Sequence, residues 1–266
     1  MKNKDSSKKL VAVAVVIAIL TIVAFVNYYF IKPISRLNEK IEVSPDEKFD
    51  LTLLTMAYLN QNKNLSINDY LFNKAESNKY NVAAEYYYLL NGRDHLNEYD
   101  KILDIAKVIF DDKKIEVSNF VVNIDKQKCG KEKYSTIEGL VYSDKCDSEE
   151  VVYELLDTYS QGDEYVVEFY AATAVQEVSD TDEKCENFET PLSYNLSLIN
   201  LERKTFYSKN EFSCCTSNCF LEGIEPLRNE ILNHIKSNEI IYKLTFRKVE
   251  KNFVFYKIKK VEKSPK

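Results

Sequence analysis

Residues 10–31 form an unbroken apolar run, LVAVAVVIAILTIVAFVNYYFI, without a charged side chain. Beyond a polar stretch the apolar positions recur at helical spacing as far as residue 112, and after Lys114 they alternate. The three regimes predict a membrane helix, a helical segment and a sheet.

The run has twenty-two residues, which gives about 33 Å of helix, enough to cross a bilayer. Lys2, Lys4, Lys8 and Lys9 precede it against a single Asp5, and such a basic flank stays in the cytoplasm. Tyr28, Tyr29 and Phe30 stand at the far end, where aromatic rings settle among headgroups. A cleaved signal peptide has a shorter apolar region, about 7–15 residues, that ends in small residues. The one such triplet here, Ala12-Val13-Ala14, lies at the start of the run, and no cysteine follows its end to take a lipid. The expected layout is a cytoplasmic tail (1–9), a transmembrane signal-anchor (10–31), a polar stalk (32–44) and an extracytoplasmic domain (45–266).

Within the domain, Ser44-Pro45-Asp46-Glu47 reads as a capping box with Pro at the first helical position. Phe49, Leu53, Met56 and Ala57 share the apolar side of the helix that follows. A second helix starts at Ser66, and a third spans about 78–91 and stops at Gly92. Tyr99, Ile102, Leu103, Ala106, Ile109 and Phe110 form one packing face of a fourth.

Alternating runs at 115–124, 136–142, 151–159, 164–176, 192–201, 240–249 and 253–261 predict strands. Gln161-Gly162-Asp163 and Glu250-Lys251-Asn252 fit hairpin turns. In the last hairpin Leu244 and Phe246 alternate with Lys243, Thr245 and Arg247, and Val254, Tyr256 and Ile258 with Phe255, Lys257 and Lys259. One face is then buried and one wet. Between the strands, residues 226–235 read as a short helix with Leu227, Ile231, Leu232 and Ile235 on one side. The fold class is α+β, helical over 45–112 and mainly strand over 113–266, with an antiparallel sheet. This order of helices and hairpins is similar to cone-shaped NTF2-like domains, an architectural likeness that no residue motif carries.

Charge alters the picture of partners. The net charge of −6 hides an acidic region, 144–189, with fifteen acidic and two basic side chains, and a basic end, 236–266, with ten basic and three acidic. An acidic body excludes nucleic acid, whose binding needs phosphate neutralisation. The basic end suits either an anionic surface or a solvated strand face. Lys outnumbers Arg 31 to 5, a bias typical of AT-rich genomes. With that bias, the membrane-anchored layout and the closing segment YKLTFRKVEKNFVFYKIKKVEK are similar to uncharacterised extracytoplasmic proteins of AT-rich bacteria. That resemblance brings no activity.

All six cysteines, Cys129, Cys146, Cys185, Cys214, Cys215 and Cys219, follow the apolar run. An even number outside the cytoplasm points to disulfides, with fifteen pairings open. Cys129 and Cys146 flank a strand and would close a loop of about seventeen residues, worth about 3 kcal/mol by chain entropy. Cys185 would then pair within the Cys214-Cys215-x-x-x-Cys219 cluster. A zinc site using these four finds one C-x₃-C half and lacks the second.

Catalytic signatures are missing. The five glycines are too scattered for a phosphate loop, no G-x-S-x-G occurs, and His95 and His234 are the two histidines. Glu149, Glu150 and Asp157 are candidates for a carboxylate pair and equally for an exposed acidic strand edge. Asp180-Thr181-Asp182-Glu183 invites calcium, yet Cys185 and Pro191 stand where a helix-loop-helix site wants Gly and Glu. No metal or cofactor is implied. The expected function is a binding or interaction module rather than an enzyme, with an envelope protein or polymer as partner. A carboxylate hydrolase acting on the envelope and a structural part of a membrane assembly are the alternatives.

Overall fold

The computed structural model describes residues 39–61, 76–115, 121–123, 132–135, 139–142, 149–180, 190–200, 203–215, 224 and 227–261, with positions 19, 21, 22 and 25. These residues form an α+β domain. Its helices are α1 (Pro45–Gln61), α2 (Glu76–Asn91), α3 (Tyr99–Ile109) and α4 (Arg228–Ser237). Its strands are β1 (Ile41–Glu42), β2 (Val121–Asn123), β3 (Glu132–Ser135), β4 (Gly139–Tyr142), β5 (Glu149–Gln161), β6 (Glu164–Asp180), β7 (Thr190–Ile199), β8 (Thr205–Cys215), β9 (Ile241–Val249) and β10 (Asn252–Lys260).

The capping box forms as expected. Ser44 Oγ accepts from the Glu47 amide at 3.3 Å, while Glu47 Oε2 accepts from the Ser44 amide at 3.2 Å. α2 ends where Gly92 adopts φ +83°, a left-handed conformation that favours glycine.

Among the strands, β6 is the spine, with seventeen residues. Along one side it pairs with β5; along the other it pairs first with β9 and then with β7, all antiparallel. β1, β10 and β8 extend the sheet beyond β5, β9 and β7. Two hairpins therefore lie end to end against one side of β6. β2, β3 and β4 make a separate three-stranded sheet.

The core lies between α1–α3 and the inner sheet face and continues on the outer face under α4, where Ile231 and Ile235 are fully buried. By register, Val167 and Phe169 of β6 share the inner face with Leu244 and Tyr242 of β9, and all four are fully buried. Phe255 of β10 meets Tyr58 at 5.7 Å, Phe110 at 5.1 Å and Phe246 at 5.0 Å between ring centroids. Burying each such side chain stabilises the fold by roughly 1.5–3 kcal/mol. A small polar network crosses this layer: Tyr153 donates to Asn60 Oδ1 (3.0 Å), Asn60 to Glu85 Oε1 (2.7 Å) and Gln61 to Glu85 Oε2 (2.8 Å). It joins β5 to α1 and α2.

Three details differ from the pattern reading. Phe49 is 57% exposed, because it stands in the polar first turns of α1, before the buried side that runs through Leu51, Leu54 and Tyr58. A register shift between Phe255 and Lys257 breaks strict alternation, so Phe253, Phe255 and Ile258 fall on the core side. β8 escapes alternation because its polar residues, Lys209, Asn210 and Glu211, spread over both faces. Of the apolar run, Ile19, Thr21, Ile22 and Phe25 are helical and exposed; the rest, like the helix start expected at Ser66, lies outside the described residues. Among the described residues no helix is long and apolar enough to cross a membrane.

Candidate functional site

Each of the first three helices places residues one turn apart over a common space. α1 contributes Asp50 and Leu54, α2 contributes Tyr86 and Leu90, and α3 contributes Ile105 with Ile109 and Asp104 with Val108. Lys251, Asn252 and Phe253 of the β9–β10 turn close the fourth side. The result is an open cleft of about 370 Å³, at the lower end of the range for ligand sites.

The hairpin is held there by two contacts. Lys248 donates to Glu47 Oε1 at 2.8 Å, so the carboxylate that caps α1 also ties it to the sheet. That bond, with the Ser44 donors, lowers the Glu47 pKa. Phe253 packs edge-on to Tyr165 at 4.9 Å.

Burial, reinforced by Asp46, raises the Asp50 carboxyl above its usual range against the opposing pull of Lys248. Burial and then Asp50 push the Tyr86 hydroxyl up to about 12. Asp104 is exposed. Leu90 and Val108, at 41% and 40% exposure, carry the apolar lining out to the surface. Chemically this is a greasy seat edged by two carboxylates and by Lys251. It suits an apolar group next to a cation.

Sequence reasoning did not find this cleft. Its walls come from four elements spread over about two hundred residues, and the local signal, polar Asp50 and Asp104 beside aliphatic neighbours, is ordinary for an amphipathic helix.

The residues that sequence did single out are scattered. Glu150 is bridged to Arg228 at 3.5 Å, and Asp157 to Lys40 at 3.6 Å. They stand seven residues apart on β5, about 23 Å, too far for a catalytic carboxylate pair. Glu149 sits half-buried at the start of β5. His95 meets Glu98 at 2.7 Å on the surface, whereas His234 stacks on Tyr207 at 3.8 Å beside Glu230. Cys214 and Cys215 end β8 opposite Pro191 and Thr190. Cys129, Cys146, Cys185 and Cys219 lie outside the described residues, as do 181–183 of the calcium candidate. Among the described residues, no group of three or more His, Cys, Asp and Glu is arranged to hold a metal.

Two polar clusters occupy the outer sheet face. One surrounds Glu168, whose Oε1 accepts from Tyr159 (2.7 Å), Lys243 (2.8 Å) and Lys40 (3.1 Å). Burial alone would raise its pKa, but the three donors outweigh burial and bring it to about 2. The other links Lys209 to Glu211 and to Glu230 (3.2 Å), with Tyr194 donating to Glu211. The charged groups in these clusters pair with one another, as in structural ion-pair networks.

Compared with family models, curated proteins and solved structures, the chain matches none.

Proposed function

We propose that the chain is a membrane-anchored extracytoplasmic binding module whose cleft receives an apolar segment of an envelope protein. The observation that carries this reading is the 370 Å³ cleft with Leu90 and Val108 exposed at its mouth. Covering those side chains gains roughly 25 cal/mol per Å² of apolar area. Asp50 and Asp104 favour a segment with Lys or Arg beside its apolar residues, because charge complementarity selects partners.

Disulfides belong to the same reading. β3 and β4 pair Glu132 with Tyr142; Cys129 precedes the first by three residues and Cys146 follows the second by four, which supports a bridge between them. The connection that contains Cys185 leads into Thr190, opposite Cys215. That order along the chain, five residues from Cys185 to Thr190, supports a second bridge at this end of the sheet. Six free thiols in the oxidised full chain would overturn both.

The test of binding places a photoreactive side chain at Val108 in the full chain, in native membranes. The expected result is one adduct, displaced by a synthetic apolar-basic peptide and reduced more than tenfold by Leu90→Asp but not by Lys259→Glu. Adducts indifferent to Leu90→Asp and to the peptide contradict the reading. Asp50 supports a second reading, because a carboxyl with a raised pKa in an apolar cleft can serve as a general acid. A hydrolase would lose turnover of envelope polymer in both Asp50→Asn and Asp104→Asn, whereas a binding module has no turnover to lose.

A further inference from the structure

We infer that Asn91, the last residue of α2, is a site of spontaneous covalent modification, where the side-chain amide converts to a mixture of aspartate and isoaspartate. The asparagine side chain is among the thermolabile ones. Its loss needs water, and a following amide nitrogen that can reach the asparagine Cγ without a side chain in the way. Asn91-Gly92 is the one Asn-Gly pair in the chain, and glycine leaves that approach open. Both residues are exposed. Where a Cβ would stand on Gly92, nothing lies within 4 Å. Every other asparagine precedes a residue that carries a side chain.

The Gly92 nitrogen attacks Asn91 Cγ, its proton passes through water to Nδ2, and the Cγ–Nδ2 bond breaks to release ammonia. A succinimide ring remains. Water then adds to either ring carbonyl and the ring C–N bond there opens. Opening at the side-chain carbonyl gives aspartate, whereas opening at the backbone carbonyl leaves the main chain running through the Asn91 β-carbon. Structure sets the rate. With α2 closed, the Gly92 amide donates to Tyr88 O at 2.8 Å and Asn91 Nδ2 donates to Tyr87 O at 3.1 Å, so nucleophile and leaving group are both occupied. The ring closes only when this last turn opens, and helix ends open at little cost in free energy. Arg93, Asp94 and His95 are exposed, and Leu96 is the first buried residue beyond the turn.

Conversion alters the joint between α2 and α3. It removes the Nδ2 donor from Tyr87 O and sets a negative charge at the carbonyl end of α2, where the helix dipole opposes it. Isoaspartate also lengthens the main chain by one carbon, just before a connector whose far end is pinned: Glu98 accepts from Tyr87 at 2.6 Å and meets His95 at 2.7 Å. Leu90 stands immediately before this joint and Ile105 and Val108 follow it on α3, so the altered joint connects two walls of the cleft. A loosened joint weakens binding there. That consequence rests on the binding reading above, while the conversion itself does not.

The experiment ages the folded full chain in mildly alkaline buffer made with heavy-oxygen water, beside a sample unfolded in urea, and maps peptides by mass spectrometry with isoaspartyl methyltransferase labelling. Heavy oxygen and isoaspartate should appear at position 91 ahead of every other asparagine, at a rate within about tenfold of the unfolded sample. Asn91→Gln should abolish the isoaspartate. Amide exchange at Gly92 and Leu96 should quicken in the aged chain and stay unchanged in aged Asn91→Gln. Conversion first at another asparagine, or a folded rate below that tenfold margin, overturns the inference. Photoadducts at Val108 should fall in the aged chain; a yield that is peptide-displaced in the fresh chain and unchanged in the aged one removes the link to the cleft while binding stands.

Discussion

Glu168 collects three donors on one carboxylate oxygen while being only 17% exposed in its side chain. Such a group contributes stability through its charge. Its pKa is about 2 in the fold against an ordinary 4.5, so the folded state binds its proton less readily than the unfolded one. The contribution is fully present above pH 4.5 and disappears as pH falls through 2. Glu168→Gln should therefore cost about 1–3 kcal/mol at neutral pH and flatten the acid limb of a urea-denaturation series over that window. An acid limb of unchanged steepness would remove Glu168 from this role. None of this was legible in the sequence, because Lys40, Tyr159, Glu168 and Lys243 meet only through the register of β1, β5, β6 and β9. Cysteine positions, in contrast, could be read directly, since chain order alone places them past the apolar run.

At the level of elements, local rules worked where local chemistry decides. The Ser44 capping box, the stop at Gly92 and the turn at Gly162 all appear where residue type favours them, whereas the turn at Glu250 holds φ +56° on a residue that is not glycine. Ser44→Ala should cost about 1 kcal/mol. The loss should appear as faster amide exchange in the first turn of α1 and, through the Glu47 to Lys248 bond, in the β9–β10 turn. Exchange restricted to α1 would show that the cap and the hairpin are independent. Patterning failed for β8, whose strand character comes from its pairing with β7 rather than from its own side chains. It failed again at Tyr256, where one extra residue in β10 reverses the alternation.

For the molecule as a whole, β6 decides cooperativity. Its two halves hold different hairpins, yet both halves share β5, so damage near the middle reaches each hairpin. Phe169→Ala, at a fully buried site, should cost about 3–5 kcal/mol. Exchange should then accelerate in β7–β8 and β9–β10 alike; acceleration confined to β9–β10 would mean that the halves unfold separately. Helices followed by a sheet could be read from the change of period near Lys114. The end-to-end placement of two hairpins could not, since antiparallel pairing leaves open which edge a hairpin joins. Among the described residues that placement makes β10 a border of the sheet, paired with β9 alone, along the sequence Phe253-Val254-Phe255-Tyr256. Such a border invites another chain to add a strand, and Lys257, Lys259 and Lys260 make that addition electrostatically unfavourable. Neutralising those lysines together would release a self-association hazard, visible as oligomers that grow with concentration even while each domain remains folded.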